Sequence, residues 1–171
     1  MKLVEPAYKT IFGVNKECND KLVLTGHTDQ WSWVVQTEYS FPEIRRLQKA
    51  YGTDILVLGF TKKAIKDVAA AEAEEVPGSV PAMKTTHTVD ASIGLEAALV
   101  VLILEQKNTY GDDTNQYDVK RLVPSLTRGS NGLVIMWMPF AFDSIPKNQL
   151  PEGDGTRAIY ENIKALNWFP C

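Results

Sequence analysis

Cysteine is scarce: Cys18 and Cys171 are the only two in 171 residues. They stand far apart in sequence and one is the last residue, so no disulfide framework is expected and a reducing interior is the expected setting. Histidine is equally rare, with His27 and His87 alone. No CxxC, HExxH, GxSxG or GxGxxG occurs, and no Walker-type glycine and lysine spacing, which removes the common zinc, nucleophile and nucleotide signatures. Basic charge is in deficit too. Eighteen Lys and Arg against 21 Asp and Glu leave a net charge of -3, which removes most of the electrostatic case for nucleic acid, so no nucleic-acid partner is expected. The longest apolar run, Ala97 to Leu104, falls far short of the ~20 residues a spanning helix needs. With Met1, Lys2, Leu3, Val4, Glu5 and Pro6 leading into no apolar segment, no secretory signal is expected. A cytoplasmic location, or a place in a particle assembled there, is the expectation.

What the chain does have is material for a core. It is 44% hydrophobic and 23% charged, the balance of an ordinary globular domain. A single domain over residues 1–171 with an aromatic tail at 167–171 is expected.

Local patterns predict the elements. Lys21 to Thr25 and Trp31 to Thr37 read as strands of a hairpin joined by the turn-rich Gly26 to Gln30. Ser40 three residues before Glu43, with Pro42 between, predicts a capped helix from Phe41 to Tyr51 that ends at Gly52. Asp54 to Phe60 is apolar without alternation, the pattern of a central strand covered on both faces. Thr61 then caps a helix over 62–75 whose lysines stand at the start and glutamates at the end, against the helix dipole. Pro77, Gly78, Ser79 and Pro81 break the chain. Met83 to Ala91 alternates as a half-buried strand, and β-branched residues favour a strand over 97–105, although Glu96 to Leu99 also suit a helix. Tyr117 to Val123 reads as an edge strand cut off by Pro124, Gly129 to Gly132 as a turn, Leu133 to Phe142 as a strand, and Arg157 to Leu166 as a final helix. This order is neither a regular βαβ alternation nor an all-β ladder. It predicts an α+β fold with a mixed or antiparallel sheet of about five to six strands and two to three helices mainly on one face.

Both histidines lie beside a threonine with an aspartate close by, as His27, Thr28, Asp29 and as His87, Thr88, Asp90. An imidazole oriented by a carboxylate makes a general base or holds a metal, so His27, Asp29, His87 and Asp90 together form the candidate catalytic set of a small hydrolase. The competing reading makes His87 a satisfied core residue and His27 part of a surface loop. Gly153 to Arg157 and the acidic stretch Asp112 to Asp118 lack the spacing of phosphate and calcium loops and read as a plain turn and a solvated loop. No cofactor and no metal is expected.

Trp168 and Phe169, next to Pro170 at the C-terminus, are expected either to dock on their own domain or to anchor in a partner subunit. The leading functional expectation is a non-catalytic structural or assembly subunit, for example of a virion, that packs against copies of itself or its neighbours. The hydrolase is the alternative.

Overall fold

In a computed structural model, the described residues are 33–74, 84–105, 119–139 and 156–165. They form β1 (Trp33–Glu38), α1 (Phe41–Tyr51), β2 (Ile55–Gly59), α2 (Lys66–Glu74), β3 (Thr86–Thr88), a 3-10 turn (Asp90–Ser92), β4 (Ala97–Leu104), α3 (Val119–Leu126), β5 (Gly129–Trp137) and α4 (Thr156–Lys164). The five strands make one sheet in the order β1-β5-β4-β2-β3. Every pairing among them is parallel.

The sheet therefore overturns the expectation of an α+β fold with a mixed or antiparallel sheet: this is an α/β architecture. Helices cover both faces rather than one. Ile44 and Leu47 of α1 and Val68 of α2 pack with Ile55, Val57, Leu99, Val101 and Ile103 on one side. Leu122 and Leu126 of α3 and Ile159, Tyr160 and Ile163 of α4 pack with Leu56, Leu58, Val100, Leu102 and Leu104 on the other. The apolar runs have no polar alternation because neither face of their strands meets water, and all five residues of β2 are buried.

Two connections hid the βαβ rhythm. Residues 119–126, expected as an edge strand, form α3 with Pro124 inside it. Leu122 and Leu126 at helical spacing supply its buried side, while the Ser125 and Thr127 hydroxyls bond the carbonyls of Leu122 and Val123 at 2.7 and 3.0 Å. The chain passes from β3 to β4 without an α-helix, through the 3-10 turn, with Val89 buried against the α3 and α4 side.

Three more expectations are corrected. Gly129 to Gly132 is not a turn but the opening of β5, where Ala97 pairs with Gly129 and Leu99 with Gly132, so that β5 carries one residue more than β4 over that step. A Cβ on Gly129 would stand 2.4 Å from the Gly132 carbonyl oxygen, which is why this bulge needs glycine. The strand expected from Met83 shrinks to Thr86–Thr88, because the chain bends into the 3-10 turn at Asp90. The second helix starts at Lys66, after a turn over 61–65 in which the Thr61 hydroxyl accepts the Ala64 N–H at 3.2 Å. The hairpin partner expected at Lys21 to Thr25 lies outside the described residues, and β1 finds its partner in β5.

Helix α1 forms as expected. Ser40 Oγ accepts the Glu43 N–H at 3.3 Å, and Gly52, at φ 60°, closes the other end with its N–H on the Gln48 carbonyl at 2.9 Å. Arg46 grips both Glu43 oxygens at 2.6 and 2.7 Å, and this bond holds the Glu43 carboxyl below the usual carboxylate range.

Candidate functional site

Parallel strands bring all their C-terminal ends to one edge of the sheet, and ligands of open α/β sheets bind there, where neighbouring strands send their chains to opposite faces. The described strands offer such divergences at β1/β5 and at β2/β4, since α1 and α2 lie on one face and α3 and α4 on the other, and a third at β2/β3, where the Val89 N–H closes onto the Gly59 carbonyl at 2.9 Å. Backbone closes the first gap. The Tyr39 N–H bonds the Trp137 carbonyl at 2.8 Å, continuing the pairing past the strand ends.

Side chains span the second. Gly59 pairs with Ile103, so the same register carried onward sets Thr61 beside Glu105, and the Thr61 hydroxyl donates to Glu105 Oε1 at 2.7 Å. Alternation along β4 puts Glu105 on the face of Val101 and Ile103, under α1 and α2. It is only 7% exposed, a buried carboxylate at the end of an interior strand. Local packing forces this geometry, because a Cβ on Gly59 would lie 2.7 Å from Ile65 Cγ2 and 3.0 Å from Ala64 Cβ. The absence of a side chain at Gly59 lets the 61–65 turn fold back tightly over the end of β2. On the same face Tyr39 is half-buried: burial pushes its phenol above the ordinary tyrosine range, and the Asp67 carboxylate adds to the shift.

A second polar group lies between α1, α2 and β3. Gln48 Nε2 donates to Glu72 Oε1 at 2.7 Å and to Thr85 Oγ1 at 2.9 Å. The Thr85 hydroxyl donates to the same Glu72 oxygen, and Arg45 donates to the Gln48 side-chain oxygen. Gln48 and Thr85 are both buried, so this group acts as a structural pin between elements.

Of the residues singled out in the sequence, His27, Asp29, Trp168 and Phe169 lie outside the described residues. His87 sits on the edge strand β3, and its Nε2 donates to the Lys84 carbonyl at 2.6 Å. Asp90 opens the 3-10 turn and pairs with Arg121 of α3 at 3.3 Å. Among the described residues no group of three or more His, Cys, Asp and Glu stands ready for a metal ion. The sequence marks Thr61 only as a helix cap and gives Glu105 no functional role. Their signal was positional: each follows an apolar run directly, at the end of a strand, and that position matters only once the strands are known to be parallel.

The fold and this edge define an α/β protein with a polar pair at a strand-order divergence. No family model matches the chain, and no curated protein matches it. No helix among the described residues is long and apolar enough to cross a membrane.

Proposed function

We propose that this protein is a small-molecule-binding α/β domain whose site lies over the C-terminal ends of β2 and β4, with Glu105 as its recognition and acid-base group. The observation that carries the reading is the Thr61 to Glu105 bond at the one divergence of the described sheet spanned by side chains rather than backbone. A buried carboxylate there can accept a hydrogen bond from a ligand hydroxyl or amine, or take a proton from it. Its ligand is a small polar molecule with a donor to offer. The reading is of a binding domain, distinct from the hydrolase expectation, and rests on other residues than His27, Asp29, His87 and Asp90. It carries with it a cytoplasmic compartment, supported by the scarcity of cysteine.

The test is an amide NMR titration of the whole chain against a panel of small amines, polyols and sugar phosphates. Shifts that cluster at Thr61, Ala64 and Glu105, and vanish in Glu105→Gln, are the expected result. Shifts scattered elsewhere, or no binder in the panel, would overturn it.

The assembly subunit remains the second reading, favoured by one observation. Ile93 stands 77% exposed on the crossover from β3 to β4, next to Gly94 at φ 84°. A partner packed on this turn would take that side chain out of water.

A further inference from the structure

We propose that α2 is a gate, opening as a unit while the sheet stays closed, and that two side-chain latches set how often it does so. Its hold on the core is slight. Val68 is the one buried residue of its nine, against three buried residues in α1. Glu72 and Glu74 stand in the last turn, where the helix dipole disfavours them, and no basic residue offsets them there. The alanines at 69, 70, 71 and 73 favour helix, but nine residues are too few to remain helical once detached. Undocking and melting therefore coincide.

The latches sit before and near the end of this helix. Thr61 caps the turn leading into it and reaches Glu105 on β4, while Glu72 receives Gln48 of α1 and Thr85 at the entry to β3. One hydroxyl thus ties the start of the helix to the carboxylate of the proposed site. Resting on that reading, a ligand that takes Glu105 competes for the Thr61 hydroxyl and loosens the 61–65 turn that leads into α2, so that occupancy changes how often the gate opens.

Hydrogen exchange on the ligand-free full chain tests the gate by itself. The amides of 66–74 should exchange ahead of those of β2 and β4, because they open without global unfolding. Thr61→Val removes both the bond to Glu105 and the acceptor for the Ala64 N–H and should speed them about tenfold or more, with the β4 amides unchanged and Thr61→Ser restoring the original rate. Glu72→Ala is the second variant, and it keeps the proposal falsifiable should Thr61→Val fail to fold. Alanine is the better helix former and removes an unfavourable end charge, so both helix propensity and the dipole predict slower exchange, and faster exchange in that variant reports the lost contacts to Gln48 and Thr85. Exchange of α2 in step with the strands, or no change in either variant, would overturn the gate. Neither result bears on ligand binding, which Glu105→Gln tests separately.

Discussion

The indole N–H of Trp137 donates to the side-chain oxygen of Gln36, 3.2 Å away, and the Gln36 amide in turn donates to the Lys164 carbonyl at 3.3 Å. One buried glutamine thus joins the two strands β1 and β5 to the end of α4, beneath a Trp137 ring tilted 56° against Tyr160 at 6.4 Å. Replacing it by leucine leaves the indole N–H in the core without this acceptor. Gln36→Leu should lower stability by about 1–3 kcal/mol, read as a fall in the urea midpoint at constant slope. A midpoint unchanged from the parent would show that the bond contributes nothing net.

Gly59→Ala tests the tight return over β2. Alanine in a strand ordinarily gains about 0.5–1 kcal/mol over glycine through the unfolded chain. Here the new methyl meets Ala64 Cβ and the branched, buried Ile65, so overpacking at about 1–3 kcal/mol should win and the variant should be less stable. Thermal unfolding gives the sign directly.

Tyr39 makes stability depend on alkaline pH. Its folded-state pKa is raised, first by burial and then by Asp67, so the unfolded chain loses the phenolic proton first as pH rises. The stabilisation is complete below the ordinary tyrosine pKa of about 10 and is lost as pH climbs through the folded value. Tyr39→Phe should flatten that part of the profile, and Asp67→Asn should flatten it partly. Denaturant midpoints from pH 9 to 11 measure both.

Ile93 separates the two functional readings. Ile93→Lys removes no core contact and should change folding stability by less than about 0.5 kcal/mol. If the chain assembles through this turn, light scattering will show the mass in solution falling in the variant. An unchanged mass at equal concentration takes Ile93 out of any interface.

Much of the local structure was legible in the chain. Ser40, Pro42, Glu43 and Gly52 mark α1 to the residue, and the unalternated runs at 55–59 and 97–104 mark buried strands. The segment around Pro124 was misread, because proline is rare inside helices and the hydroxyls of Ser125 and Thr127 that serve the carbonyls at its end are too local a signal to outweigh it. Gly129 to Gly132 was misread for a similar reason, since a glycine-rich tetrad serves a bulge as well as a turn.

Which apolar runs are buried and where α1 starts and stops follow from side-chain chemistry within a few residues of each position. The direction of the strands does not, because an apolar run is equally apolar whether its neighbour runs with it or against it. Only the tertiary structure, in which the connections carry the chain back so that each strand starts at the same end of the sheet, made the pairing parallel. That arrangement alone brought Thr61 and Glu105, 44 residues apart in the chain, into a hydrogen bond at a shared edge.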